Sequence, residues 1–488
     1  MQEVHEKRKD IGWDKKNFLS NFLISTGTQF FASFLSFLIS YFIIKKYNED
    51  VLGGVVVLVS VAQVFVFLSN WSLVSVQKLG TEEFLDTGNI QTIFSNRFFL
   101  LCINYAVAAA VFLVILQFLP INTWGGILAL IYGFVLVANI HFYAGFQARK
   151  RLRWQGMIMV LEKLLLIAAL FLMVNVSTVS VNRILLIYLL TSACSTVICL
   201  ILSRKQFSFN LDRPVIKNII KFSLPLIPYS LVAFLSTNFC DSFFLNKYVK
   251  DSDIALYSIA YQFNGIWLQI PTILGTIILP FFITSNKQHS YHATLEYIKR
   301  YGIALNYLWG AISFCFIIGL FIVLPLIYHK FTTDFFVTLY LFIAATCVSF
   351  SSGVFFSPFL LSNGELKIAL PLAIVSAVTN ITGNLLLIPV YGIVGSALSS
   401  VIFAFLYTLL LTIYVSWKYK INLQGFFINY GLIFLSAGLV FFYPRLLVSA
   451  CIFVVVYLLL LLLNREKTMQ AIRVIFSGIS RKNTVVAS

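Results

Sequence analysis

Charged residues are scarce in this chain. Of its 488 residues, 11% are Asp, Glu, Lys or Arg, whereas 60% are hydrophobic. Soluble domains carry about 25% charged residues, so the composition excludes an ordinary soluble protein. Apolar runs of about 20 residues, the length that a helix needs to cross a bilayer, recur along the whole sequence. We predict an all-α polytopic membrane protein with about fourteen spans, at residues 18–44, 51–76, 97–119, 124–147, 155–176, 183–203, 222–246, 254–283, 301–328, 335–361, 367–388, 391–416, 425–443 and 446–464.

Motifs of enzymes and of metal sites are absent as well. None of the seven cysteines forms a CxxC pair, and all lie in predicted spans, where cysteine usually acts as a small hydrophobe. The sequence has no G-x-S-x-G and no Walker A lysine, so neither acyl-enzyme chemistry nor ATP hydrolysis is supported. There is also no large periplasmic loop of the kind that polysaccharide polymerases and ligases carry. We therefore expect a protein that is not an enzyme and that needs neither a metal nor another cofactor.

Acidic residues are outnumbered by basic ones, 18 to 35, which gives a formal net charge of +17. Of the basic residues, 27 lie in one alternating set of connections, which includes both ends of the chain, and only 7 lie in the other set. Cytoplasmic loops carry the excess of Lys and Arg, so this alternation predicts that both termini are cytoplasmic. The charge is thus a topology signal and does not indicate nucleic-acid binding. This count places Arg97 in a cytoplasmic loop and leaves one cation, Lys163, inside a span.

Two parts of the chain are similar to each other. At an offset of 201 residues, eight of 35 aligned positions are identical, among them Asp50 with Asp251. Six predicted spans separate the matching segments, so the repeat is parallel, a form that transporters use; chance similarity of two span ends is the alternative. We predict an N-terminal lobe at 1–203, a cytoplasmic linker at 204–221, a C-terminal lobe at 222–420, two further helices at 421–464 and a cytoplasmic tail at 465–488.

Three stretches of the second half carry a resemblance to a known family. They are Lys221-Phe-Ser-Leu-Pro-Leu-Ile-Pro-Tyr229, Asp241-Ser-Phe-Phe-Leu-Asn-Lys-Tyr-Val-Lys-Asp251 with the following Ala255-Leu-Tyr-Ser-Ile-Ala-Tyr261, and Asn384-Leu-Leu-Leu-Ile-Pro-Val-Tyr-Gly-Ile-Val-Gly-Ser-Ala397. Their order and spacing resemble those of the multidrug/oligosaccharidyl-lipid/polysaccharide flippase superfamily, particularly its polysaccharide-transporter branch, the Wzx-type O-antigen flippases. The resemblance covers most of the chain. It implies a MATE-like fold with two six-helix lobes, related by a parallel pseudo-two-fold axis, and two C-terminal helices.

The resemblance also implies a function. It is that of a flippase in the bacterial inner membrane, which moves an undecaprenyl-diphosphate-linked oligosaccharide repeat unit, of O-antigen or capsule type, from the cytoplasmic to the periplasmic leaflet. Alternating access, a proton or sodium gradient as driving force, and association with polysaccharide polymerase machinery are part of this expectation. The absence of a GxxxG pair favours a monomer.

Two other members of the superfamily are alternatives: a multidrug antiporter and a lipid II flippase. The first predicted span, 18–44, has neither the acid that the antiporters often carry there nor the arginines of the lipid II flippase. This difference favours the polysaccharide branch.

Ionisable residues inside spans are the first candidates for a functional site, because placing a charge there costs about 2.5–3.5 kcal/mol. Glu162 and Lys163 lie in the fifth span, although Lys163 could instead extend to the lipid headgroups. Asp241 in the seventh span and His141 in the fourth could couple transport to an ion or serve as structural hydrogen-bonding groups. Arg300, at the start of the ninth span, could bind a phosphate of the cargo or anchor the helix at the interface.

Uncharged amides also lie well inside the spans, at Gln29, Gln63, Gln262 and Asn264. In the superfamily that the chain resembles, helices 1, 2, 7 and 8 line the central cavity, so these amides are candidates for binding sugar hydroxyls. Hydrogen bonds between helices, of about 0.6 kcal/mol on average, are the commoner use of such groups. The predicted substrate-binding set is therefore Lys163, Arg300, Gln29, Gln63, Gln262 and Asn264, and the predicted coupling or structural charges are Glu162, Asp241 and His141.

Overall fold

The computed structural model describes residues 15–118, 122–173, 180–208, 211–224, 227, 234, 238–289, 291–363, 365 and 368–470. Across these residues the regular structure is helical and includes no strand, which confirms the predicted all-α fold class. Eleven of the described helices are long and apolar enough to cross a membrane. The chain is a multi-pass membrane protein, and it divides into two compact units, Met1–Phe234 and Leu235–Ser488.

The first unit consists mainly of long apolar helices joined by short turns. Polar side chains fix where two of them begin, because Asn48 accepts the Val51 N–H at 2.9 Å and Asn122 accepts the Trp124 N–H at 2.9 Å. Gly88 ends the third helix with a φ of 75°, a left-handed conformation that suits glycine. The helices are α1 (Lys15–Lys46), α2 (Glu49–Asn70), α3 (Leu73–Thr87), α4 (Gln91–Ile115), α5 (Thr123–Ala148), α6 (Leu152–Leu172), α7 (Val181–Ser203) and α8 (Arg213–Ser223).

Two apolar clusters hold the helices of this unit together. One contains Phe65 of α2, Tyr105 of α4 and Tyr132 of α5. The other contains Phe94 of α4 and Phe142 of α5, beside residues of α3 and α7. Lipid tails are as apolar as these side chains, so close packing rather than removal from water stabilises the contacts.

The second predicted span, 51–76, is not one continuous helix. α2 ends at Asn70, and Trp71 and Ser72 form a turn before α3 begins at Leu73. The Ser75 hydroxyl donates to the Ser72 carbonyl oxygen at 2.6 Å and stabilises this turn. The turn between α2 and α3 therefore leaves polar groups of the chain inside the unit. These groups can form hydrogen bonds with a buried polar side chain of another helix.

The second unit is built around one buried helix, α13, which packs against α10, α12, α15 and α16. Its first turn is capped by Thr332, whose hydroxyl oxygen accepts the Phe335 N–H at 3.2 Å. The helices of the unit are α9 (Asn238–Tyr248), α10 (Asp251–His289), α11 (Tyr291–Tyr297), α12 (Ile303–Ile327), α13 (Thr333–Ser351), α14 (Ser357–Ser362), α15 (Ala369–Tyr419), α16 (Gln424–Phe442) and α17 (Leu446–Leu463).

Three irregular points mark the helices of the second unit. Gly392, with φ 54° and ψ −131°, interrupts α15 at the start of the predicted span 391–416, close to the end of the span 367–388. Two π-helical turns, Ile298–Gly302 and Ser352–Phe356, precede α12 and α14. At the second of these turns α10 approaches so closely that a Cβ on Gly275 would lie 2.6 Å from the Gly353 carbonyl oxygen. Glycine is required there by this contact.

Candidate functional site

Arg97 is fully buried in α4, so its assignment to a cytoplasmic loop was wrong. Its Nη2 donates to Asn70 Oδ1 at 2.9 Å and its Nε donates to Ser72 Oγ at 3.3 Å. Its Nη1 bonds to His141 Nδ1 at 2.8 Å. The break between α2 and α3 supplies two of these partners, which is why the guanidinium can be placed inside the unit. All three partners are uncharged as bonded here, and no carboxylate of the described chain pairs with Arg97.

His141, predicted as a coupling or structural group, lies fully buried beside Arg97. Its ring is 4.1 Å from that of Phe94 and 5.2 Å from that of Phe98, between ring centroids. Because Nδ1 accepts a hydrogen from Arg97, we infer that the ring proton is on Nε2. Among the described residues, Nε2 has no hydrogen-bonding partner. The contacts of His141 are thus those of a group that positions the guanidinium, whereas a coupling role stays a prediction.

Glu162 and Lys163 lie next to each other in α6 and form an ion pair, with Lys163 Nζ 3.8 Å from Glu162 Oε1. Glu162 is buried and also accepts the Ser192 hydroxyl of α7 at 2.8 Å. The Lys163 side chain is 26% exposed. The carboxylate is therefore fixed between two helices, while the ammonium keeps access to the surroundings of the unit.

The two predicted amides of the first unit are less buried than its charged candidates Arg97 and Glu162. Gln29 on α1 and Gln63 on α2 are both partly exposed. Within the described part of the chain, Gln63 has no hydrogen-bonding partner, so its amide is available to another molecule. Their role in binding sugar stays a prediction.

Asp241 is the centre of a polar network in the second unit. It is 2% exposed, and its two carboxylate oxygens accept hydrogen bonds from the Tyr257 hydroxyl and the Asn384 amide, both at 2.6 Å. The Ser396 hydroxyl donates to Tyr257 Oη at 3.0 Å. Asn384 Oδ1 is buried without a partner among the described residues. In this part of the chain no Lys, Arg or His pairs with Asp241.

Sequence reasoning singled out Asp241 but missed the other three residues of its network. All four residues fall inside the stretches that carry the family resemblance: Asp241 opens the second stretch, Tyr257 lies in its continuation, and Asn384 and Ser396 lie in the third. The structure brings these separate stretches of α9, α10 and α15 to one place. The resemblance could therefore have indicated the network, had each motif been searched for its polar residues.

Two further predicted residues of the second unit lie on α10. Asn264 is buried, and its Oδ1 accepts the Thr346 hydroxyl of α13 at 2.5 Å. This is the interhelical hydrogen bond that was the alternative to sugar binding. Gln262 is partly exposed, two residues before Asn264.

Arg300 is exposed on the π-helical turn before α12. Its Nη2 donates to Gln470 Oε1 at 3.2 Å, and its guanidinium carbon lies 5.4 Å from the centre of the Tyr301 ring. Both contacts are of the weak surface kind, so the guanidinium keeps free donors for an anion. Its role as a phosphate ligand or as an interfacial anchor stays a prediction.

A family model and several solved structures are similar to this chain. Residues 77–300, just under half of the chain, match a family model described as "Polysaccharide biosynthesis protein". The solved structure of the lipid II flippase MurJ, in an inward closed conformation, is similar with a TM-score of 0.60 and 15% identity, over 94% of this chain and 100% of that one.

Two MATE transporters are also similar. The MATE multidrug transporter DinF-BH has a TM-score of 0.57 and 15% identity, over 85% of this chain and 97% of its own. The Vibrio cholerae MATE transporter VcmN in the bent form has a TM-score of 0.53 and 12% identity, over 89% and 99%. No curated protein sequence matches the chain. At these identities the solved structures show a shared fold. The chain has the fold of the MurJ and MATE transporter structures, and its residues 77–300 match a polysaccharide biosynthesis family.

Proposed function

We propose that the protein is a flippase that moves an undecaprenyl-diphosphate-linked oligosaccharide repeat unit, of O-antigen or capsule type, to the periplasmic leaflet of the bacterial inner membrane. The observation that carries this proposal is the match of residues 77–300 to a polysaccharide biosynthesis family within a transporter fold. The protein acts by alternating access, is not an enzyme and has both termini in the cytoplasm. It works as a monomer and passes its cargo to polysaccharide polymerase machinery.

The cargo has two phosphates and a polar glycan, which require different groups. Lys163 and Arg300 are the predicted cations that keep exposed donors, and the planar fork of Arg300 suits a phosphate. The amides of the partly exposed residues Gln29 and Gln63 suit sugar hydroxyls, whereas Gln262, also partly exposed as a residue, has a buried amide oxygen and would offer chiefly its NH₂ group. Asn264 is engaged with Thr346, so its amide chiefly fixes α10 against α13.

Asp241 is our candidate for the group that couples transport to a proton or a sodium gradient. Its carboxylate is buried without a cation among the described residues, and a carboxylate has about four acceptor positions, of which Tyr257 and Asn384 use two. A proton can neutralise the carboxylate directly. A sodium ion, as the transported coupling ion, would find oxygen ligands in Asp241 and in the unpartnered Asn384 Oδ1.

Removal of the protein from its host tests the proposed function. The polymer should disappear from the cell surface, while lipid-linked repeat units accumulate on the cytoplasmic leaflet. If these units still reached the periplasm in a cell without a second flippase, the proposal would be wrong. Complementation with Arg300→Ala or Lys163→Ala should restore export poorly, whereas Arg204→Lys, a conservative change at an exposed cytoplasmic position, should restore it fully.

The multidrug antiporter and the lipid II flippase are tested in the same cells. A drug antiporter would change the susceptibility to cationic drugs and leave the polymer intact. A lipid II flippase would rescue growth when the cell's own lipid II flippase is depleted. We expect neither result.

A further inference from the structure

A cavity of about 420 Å³ lies in the second unit, and no residue of the Asp241 network lines it. It is bordered by the connection from α9 to α10, the start of α13, the break of α15 at Gly392 and the end of α16. Its polar wall includes Asp253 and Asp334, and its apolar wall includes Tyr391 and Phe441. This volume is within the range of small-ligand sites, about 300–1,000 Å³.

The two carboxylates of the cavity are not bonded to another side chain of the described residues. Acidic residues often stabilise the first turn of a helix, and both aspartates lie in such turns. At α13, however, the cap is provided by Thr332, which accepts the Phe335 N–H. Within the described chain neither the Asp253 nor the Asp334 carboxylate has a hydrogen bond or an ion pair. Asp253, which is half-buried, and Asp334, which is exposed, therefore bring two carboxylates to one cavity without a counter-ion among the described residues.

Two aromatic side chains also line the cavity. The rings of Tyr391 and Phe441 lie 4.9 Å apart between centroids and meet at 70°, so their faces and edges form a corner. A cation over an aromatic face is stabilised by about 0.5–2 kcal/mol, depending on how far it is desolvated. Among the described residues that line the cavity none is basic, although Lys250 and Arg445 belong to the same connections.

The cavity lies at the ends of membrane-spanning helices. On the charge pattern of the loops, this is the non-cytoplasmic end. Val390, which lines the cavity, and Phe442 and Tyr443, which follow a lining residue, are largely exposed. Such exposed apolar and aromatic side chains suit the level of the lipid headgroups.

We infer that this cavity binds an ammonium group. Two carboxylates in one cavity attract a cation, and the aromatic corner favours an organic ammonium over a hydrated metal ion, which would need more oxygen ligands than two aspartates supply. The same chemistry occurs in the headgroup of phosphatidylethanolamine and in soluble amines. This inference does not rest on the proposed transport function.

Soluble amines provide the first test. The full-length protein in detergent is titrated by calorimetry with choline and ethanolamine, and with glucose and calcium chloride as comparisons. Choline or ethanolamine should bind, and the double variant Asp253→Asn/Asp334→Asn should bind at least tenfold more weakly. Asp50→Asn, an exposed acid in the first turn of α2, is the matched control and should not change binding.

Lipids provide the second test, which identifies the source of the ammonium. In nanodiscs of phosphatidylethanolamine with phosphatidylglycerol, native mass spectrometry should show retained phosphatidylethanolamine in the parent protein and its loss in the double variant. Binding in this experiment alone assigns the site to lipid, and binding of soluble amines alone assigns it to a free amine.

Tyr391→Leu should weaken either kind of binding by several fold while keeping both carboxylates. This single variant also preserves the test if the double variant does not fold. The inference is overturned if neither source of ammonium binds, if binding is unchanged in all variants, or if only glucose or calcium shows the dependence on the aspartates.

Discussion

Each unit of the protein contains a buried charge that lacks an ionic partner among the described residues, and the two charges have opposite signs. In the first unit the charge is the Arg97 guanidinium, held by Asn70, Ser72 and His141. In the second it is the Asp241 carboxyl, held by Tyr257 and Asn384. In both places neutral hydrogen-bonding groups replace the counter-ion, which lowers the cost of burying the charge without removing it.

The two sites differ in what they can do. A guanidinium is effectively always protonated, so Arg97 has a constant charge and can only hold its neighbours in place. A carboxyl can bind and release a proton or a metal ion, so the charge of Asp241 can change during a transport cycle. The comparison therefore separates a structural charge from a candidate coupling charge.

Loss of the guanidinium should have the largest effect on stability. Arg97→Ala leaves three polar groups without their partner and opens a cavity, so we expect a loss of about 3–5 kcal/mol. Denaturant unfolding of the purified protein measures this difference. Arg204→Ala removes an exposed arginine just after α7 and should cost less than about 0.5 kcal/mol. Equal stability of the two variants would contradict the structural role of Arg97.

Loss of the His141 imidazole should have an intermediate effect on stability. His141→Phe keeps an aromatic ring beside Phe94 but removes the acceptor for Arg97 Nη1, which should cost about 1–3 kcal/mol. His141→Gln restores an acceptor and should recover most of the stability and all of the transport. Folded His141→Gln protein that had lost transport would instead favour a coupling role for this residue.

Replacement of the Asp241 carboxyl should impair transport strongly and change the stability little. Asp241→Asn can still accept from Tyr257 and removes a buried charge, so the stability should change by less than about 1 kcal/mol. Transport should fall at least tenfold, because the amide cannot change its charge. A matched Asp50→Asn variant should transport normally. Loss of stability together with loss of transport would show that Asp241 is structural, as Arg97 is.

Loss of one hydrogen bond between neutral groups of two helices should have only a small effect on stability. Thr346→Val removes the donor to Asn264 and should cost about 0.6 kcal/mol, the average for such bonds inside membrane proteins. The same unfolding assay measures it. A cost as large as that of Arg97→Ala would mean that the assay does not distinguish charged from neutral networks.

The sequence predicted the helical membrane architecture because long apolar runs have few other solutions. It also located Glu162 and Asp241, since charges within such runs are conspicuous. It missed the burial of Arg97, because a basic residue at the edge of an apolar run has the same pattern as a loop cation. The break at Trp71 that receives this side chain has no proline or glycine to mark it. Tyr257 and Asn384 meet Asp241 only through packing of distant helices, which one sequence does not reveal.

The most direct test of the account is flipping in reconstituted vesicles. The parent protein, His141→Gln and Asp241→Asn are each placed in liposomes with a fluorescent undecaprenyl-diphosphate-linked oligosaccharide, under a proton or a sodium gradient. We predict that the parent protein and His141→Gln move the lipid to the opposite leaflet under one of the gradients, whereas Asp241→Asn does not. Absence of flipping by the parent protein under both gradients, or equal flipping by Asp241→Asn, would contradict the account.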